Sequence, residues 1–136
     1  MAEEMTIGRL AKAAGVNVET IRYYQRRGLV AEPEKPLGGQ RRYPASALNA
    51  LAFVRRAQNL GFSLDEVKSL MVLTETSDCS AARIIAEHKQ GVLSSRILEL
   101  ERMRKQLDTF IAACKRNKGK RPCPMVVALW KKEEPV

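Results

Sequence analysis

Residues 81–113 keep a helical apolar rhythm for more than thirty residues, and that length is what most restricts the fold of a 136-residue chain. Leu93, Ile97, Leu100, Met103, Leu107, Phe110 and Cys114 recur at spacings of four, three, three, four, three and four. So narrow a stripe is the seam of a coiled coil rather than the broad apolar face of a globular helix. At 1.5 Å per residue the helix is roughly 48 Å long, and a chain able to bury one modest core holds no second helix of that length to cover it. The seam therefore predicts a homodimer, because an exposed stripe that long would otherwise aggregate. The competing arrangement is a helix folded back on its own head. Gly91 falls inside the repeat and weakens it near its start.

Ahead of the long helix the sequence reads as a small helical head. Thr6 suits the N-cap of a first helix whose apolar face is Ile7, Leu10, Ala11 and Ala14, and Gly15 stops it. Asn17 caps a second helix over residues 18–27, which Gly28 ends. Two short helices joined through a glycine turn predict a helix-turn-helix, with the second helix entering a major groove. Pro33, Pro36 and Pro44 forbid helix in the next stretch, while Gly38-Gly39 favours a hairpin turn, so residues 33–44 are expected to form a small β wing. A third helix is predicted over 46–60. Ser63 and Glu66 form a capping box opening a fourth, to about residue 73. The expected organisation is a DNA-binding head over 1–73, a polar hinge over 74–80, a dimerisation helix over 81–113, and a loop with a short helix over 114–136. The fold class is all-α with a small wing, the long helices pairing antiparallel.

Charge becomes informative once this layout is drawn. Residues 1–60 carry ten Lys or Arg against five acids, residues 61–113 seven against eight, and residues 114–136 seven against two. A basic head suits a polyanion, since the released counterions favour binding. Thr20, Arg22, Tyr23, Tyr24 and Gln25 on the second helix, with Arg41, Arg42 and Tyr43 on the wing, are the candidate contacts to phosphates and base edges of double-stranded DNA. A solvated basic face is the plainer reading of such residues, but here they coincide with a capped helix-turn-helix.

Three cysteines, Cys79, Cys114 and Cys123, cannot all pair in disulfides. Cys79 sits just before the long helix, where N-terminal amides favour a thiolate, and Cys114 and Cys123 bracket a Lys/Arg-rich loop expected to do the same. The eight residues between Cys114 and Cys123 let the chain fold back, and Pro122 and Pro124 hold Cys123 extended. A cysteine taken singly is more often a small buried hydrophobe. Three thiolates without a fourth ligand suit a soft ion of low coordination, with Hg(II) the best candidate, better than Zn(II). His88 reads as a helix-face residue. Cys79 and Cys114 would lie at opposite ends of one helix, so each site needs Cys79 of one subunit with Cys114 and Cys123 of the other.

Thr6-Ile7-Gly8, the run from Gly15 to Tyr24, Gly28-Leu29, Arg41-Arg42-Tyr43 and the run from Leu60 to Glu66 resemble the MerR family of winged-helix regulators. The cysteines, Ala86-Glu87-His88-Lys89 and Pro124 look most like its mercuric-ion-responsive branch. The resemblance implies a dimer on a dyad-symmetric operator, inside a promoter whose spacer is too long. Repression would tolerate RNA polymerase, and metal binding would bend and untwist the DNA to activate transcription. Relatives that respond to Cd(II), Pb(II) or Zn(II) share the three-cysteine frame and are the alternative.

Other classes fit less well. No paired-carboxylate, Ser/His/Asp or phosphate-loop arrangement is present, so an enzyme is not expected. No apolar run spans a bilayer and the N-terminus lacks a secretory pattern, so the expected location is the cytoplasm, without membrane contact. A purely architectural DNA-binding dimer, with the cysteines as packing residues, is the remaining alternative.

Overall fold

The computed structural model describes residues 4–76 and 79–131, and its order is α1 (Ile7–Ala14), α2 (Val18–Arg26), α3 (Ala45–Asn59), α4 (Leu64–Met71), α5 (Ser80–Asn117) and α6 (Pro124–Trp130). The chain divides into two compact units, one ending at Lys89 and one beginning at Gln90. The fold is all-α, as the sequence predicts.

Local chemistry sets the boundaries in the first unit. The Thr6 hydroxyl accepts the Arg9 N–H at 3.3 Å, and Gly15, at φ 70°, turns its own N–H back to the carbonyls of Ala11 and Lys12. A residue with a Cβ is strained in that left-handed conformation. Asn17 Oδ1 accepts both the N–H and the hydroxyl of Thr20 at 2.8 Å, closing the first turn of α2. Ser63 and Glu66 form the predicted capping box at α4. The four helices enclose Leu10, Ile21, Leu51, Val54 and Val67, all inaccessible to solvent. Truncating one of these to Ala would cost about 2–5 kcal/mol, so the core fixes how α2 is presented.

The wing differs from a paired hairpin. Gly39 N–H reaches the Pro36 carbonyl at 3.2 Å, with Gly38 at φ 70°, so the turn forms where expected. Among the described residues the only β pairing is an isolated bridge between Met5 and Tyr43. Pro33, Pro36 and Pro44 lack the N–H donors a ladder requires, and what remains is a loop pinned at one point.

The hinge is partly seen. The Thr76 N–H and hydroxyl both donate to the Leu73 carbonyl, at 3.0 and 2.9 Å, while residues 77 and 78 of the expected hinge lie outside the described residues. Helix α5 then runs for 38 residues, through Gly91 and four residues past the expected end. Lys115 and Arg116 occupy its last turn, where cations favour the C-terminal dipole, and Gly119 at φ 72° follows the end. Cys114 is thereby a helical residue, not the first residue of a loop. Leu93, Ile97, Leu100, Met103 and Leu107 are 44–61% exposed in the single chain, so the predicted seam is an open apolar stripe.

Candidate nucleic-acid interface and metal centre

The face of α2 and the wing loop frame a groove of about 610 Å³, lined by Thr6, Gly8, Arg22, Gln25, Arg26, Lys35, Gln40, Arg41 and Tyr43 among others. Arg22 is held by Glu19 at 3.1 Å in an exposed pair, an arrangement worth little in stability that leaves the guanidinium free to exchange partners. Arg41 donates to the Pro33 carbonyl at 3.0 Å and pairs with Glu32 at 3.2 Å, which fixes it on the wing. Arg42 and Arg22 are exposed, and Gln25 is half-buried. Thr20 already donates its hydroxyl to Asn17.

The tyrosines separate into two kinds. Tyr23 is 40% exposed, with the Arg26 and Arg27 guanidinium carbons each 5.8 Å from its ring centroid, and it offers a face to a ligand. Tyr24 and Tyr43 are core residues at 7% and 2% exposure. The hydroxyl of Tyr24 donates to Gln58 Oε1 at 3.1 Å, and that of Tyr43 accepts from Gln25 Nε2. Both residues were expected among the DNA contacts; the structure places their apolar bodies in the core, with the Tyr43 hydroxyl meeting Gln25 in the lining of the groove.

The second unit brings two of the three cysteines together. Cys114 Sγ lies 3.7 Å from Cys123 Sγ, both half-buried. Cys123 precedes α6 in an extended conformation at φ −73° and ψ 122°, as its flanking prolines predict. Asn117 Nδ2 donates to the carbonyls of Lys120 and Pro122, holding the intervening loop closed. The acidities of the two thiols shift in opposite directions. A hydrogen bond with Cys123, then burial, raises the Cys114 pKa, while the Val126 amide and next the Cys114 thiol lower that of Cys123. The basic loop was expected to lower both; Cys114 goes the other way because its neighbouring thiol and its burial dominate, and Cys123 is lowered by the amides that open α6 and by Cys114 rather than by the loop.

Cys79 belongs to the first unit. It is exposed, and its carbonyl accepts the Arg83 N–H at 2.9 Å at the start of α5. Among the described residues no group of three Cys, His, Asp or Glu side chains converges. One chain thus assembles a two-sulfur pair, whose separation is close to the roughly 3.8–4.0 Å that two Zn–S bonds of about 2.3 Å would span at tetrahedral to trigonal angles. Sequence reasoning missed two ion pairs, Lys89–Glu66 at 2.9 Å and Arg27–Asp65 at 2.8 Å. Glu66 was visible as a capping residue, but partners 23 and 38 positions apart carry no local signal.

Comparison with known proteins agrees with this layout. Residues 5–72 match the model of the MerR HTH family regulatory protein, and residues 48–110 that of MerR, DNA binding. The mercuric resistance operon regulatory protein of Serratia marcescens is 45% identical over 98% of this chain and 92% of its own length. The protein of the same name from Pseudomonas fluorescens is 46% identical over 93% and 88%. Among solved structures, the transcription regulator PbrR691 from Ralstonia metallidurans CH34 in complex with lead(II) superposes with a TM-score of 0.79 at 28% identity, over 92% of this chain and 98% of that one.

Proposed function

The chain belongs to the MerR family of helix-turn-helix regulatory proteins, and on that premise we propose that it is an Hg(II)-responsive repressor and activator of a mercury-resistance operon. The single observation that carries the ligand is the sulfur pair of Cys114 and Cys123, 3.7 Å apart on a scaffold pinned by Asn117. Two preformed thiols, with no third ligand beside them among the described residues, suit a soft ion that completes its shell elsewhere. The two relatives named for mercuric resistance support that choice.

The third sulfur is Cys79 of a second copy. Ser80 and Cys114 are 34 helical steps apart, a rise of about 51 Å. Antiparallel pairing of two α5 helices along the open stripe covers Leu93 to Leu107 and brings opposite ends of the two chains together. Each homodimer then holds two sites. The polyanionic partner is double-stranded promoter DNA, received by α2 and the wing with Arg22, Arg41 and Arg42 on phosphates and Thr20, Tyr23 and Gln25 toward the bases. Such a protein works where the DNA is, in the cytoplasm, and among the described residues no helix is long and apolar enough to cross a membrane. It acts beside RNA polymerase on the same promoter. Ion binding between subunits biases the posture of the two heads, and DNA deformation of a few kcal/mol is the quantity switched.

A second reading keeps this mechanism and changes the ion to Pb(II), Cd(II) or Zn(II), which the lead(II) complex of the structural relative favours. Competition titration of the reduced protein separates them. Hg(II) should displace the others by orders of magnitude, and equal or stronger retention of Pb(II) or Zn(II) would replace the ion in the proposal. Cys79→Ser, Cys114→Ser and Cys123→Ser should each abolish induction while sparing operator binding. Full induction in all three would end the metal reading.

A further inference from the structure

Lys89 Nζ lies 2.9 Å from Glu66 Oε1, with the two side chains 15% and 25% exposed. The other ion pairs among the described residues are 36–88% exposed. Shelter from solvent makes this contact the one least screened and most dependent on geometry. Glu66 is not a free partner either. The same oxygen accepts the Ser63 N–H at 2.8 Å, and the Ser63 hydroxyl accepts the Glu66 N–H, so the carboxylate is fixed on α4 before Lys89 reaches it.

The contacts continue without a gap to the recognition helix. Asp65, next to Glu66 in the first turn of α4, accepts from Arg27 at 2.8 Å, and Arg27 donates through its other nitrogen to the Tyr23 hydroxyl at 2.8 Å. In the other direction Lys89 stands ten residues after Cys79, about 15 Å along the helix that Cys79 opens. All these residues lie in the unit that ends at Lys89.

We infer that the Lys89–Glu66 pair is the latch by which the start of α5 fixes the posture of α4 and, through Asp65 and Arg27, of the recognition helix. Lys89 is a positioning residue. It is not among the residues that line the groove. The inference rests on the metal-gated reading above, since it names the element through which that gating reaches the DNA. A coupling path of this kind is established by an element that both sites bias, not by adjacency alone.

The test uses the full-length reduced protein, Hg(II), and a duplex selected from random DNA by the wild type, with 2-aminopurine at its centre to report unstacking. Lys89→Gln should cut the Hg(II)-dependent fluorescence change at least fivefold, while the Kd for DNA without metal and the Kd for Hg(II) without DNA stay within threefold of wild type. Lys89→Arg should keep at least half of the change. Glu66→Gln, whose amide oxygen still accepts the Ser63 N–H, should reproduce the loss. An undiminished change in Lys89→Gln overturns the inference, and so does parallel loss of both affinities, which marks a merely structural role. A wild type without any metal-dependent change instead removes the functional reading, and the latch with it.

Discussion

Cys114 and Cys123 meet at 3.7 Å although one is set by the last turns of a long helix and the other by an extended residue ahead of a short one. The pair is therefore supplied whole by one chain, and the division of labour between subunits can be read genetically. A chain carrying Cys79→Ser and a chain carrying Cys114→Ser are each expected to be non-inducible alone. Mixed in one cell they should form heterodimers with one intact site, containing the unaltered pair and the unaltered Cys79. Metal titration of the tagged heterodimer should give one tight site per dimer. Two sites, or none, would contradict a site shared across subunits.

The burial of Tyr24 and Tyr43 beside the exposure of Arg22 makes a contrast that salt dependence resolves. Neutralising a phosphate contact lowers the slope of log K against log salt by about one. Arg22→Ala should show that reduction and weaken binding across sequences. Tyr24→Phe removes only the hydrogen bond to Gln58, and should leave the slope unchanged while lowering stability by about 1 kcal/mol. A changed slope for Tyr24→Phe would place that hydroxyl at the interface.

Asn17 joins folding to recognition through one oxygen. Its Oδ1 holds both the N–H and the hydroxyl of Thr20 at 2.8 Å. Loss of an N-cap costs about 1 kcal/mol, and Thr20 would also lose its fixed rotamer. Asn17→Ala should lower stability against urea by that amount and weaken specific DNA more than random DNA. Asn17→Asp, which keeps the acceptor, should restore that stability but repel phosphate. Equal loss on both DNAs would limit Asn17 to capping.

The features legible in the sequence were those written in neighbouring residues. Thr6, Gly15, Asn17, Ser63 and Glu66 declare helix ends within four positions of themselves, and those ends fell where expected. The stripe from Leu93 to Leu107 declared itself by period, and its exposure agrees with a seam. What was not legible depended on distant partners. The burial of Tyr24 and Tyr43 is one such case, with the partner of Tyr24, Gln58, 34 positions away. The four extra residues of α5 turned on Lys115 and Arg116, whose fit to a helix C-terminus competes with their usual place in loops. The expected wing carries its turn and one β bridge but no ladder, because prolines that signal a turn also remove the donors a ladder needs. The assignment of Cys79, Cys114 and Cys123 to one ion needs a second copy of the chain.

Glu66 also gives the head a pH dependence with a definite sign. The Ser63 backbone N–H, and next the Lys89 ammonium, hold its carboxyl down at about 2, below the ordinary carboxylate value of 4.5, while burial opposes them. A carboxylate whose pKa is depressed in the folded state contributes stability above its unfolded pKa, and that contribution is lost as pH falls through the folded value. The window therefore runs from about 4.5 down to about 2. Wild type and Glu66→Gln should differ in urea stability by about 1 kcal/mol at neutral pH, the scale on which a charge-assisted hydrogen bond exceeds a neutral one. The gap should narrow steadily below pH 4.5. Titration of the remaining carboxylates is common to both proteins and cancels in the difference. A gap that stays constant down to pH 3 would mean that Glu66 acts by shape alone, and that its charge, and with it the pull of Lys89, contributes nothing to holding α4.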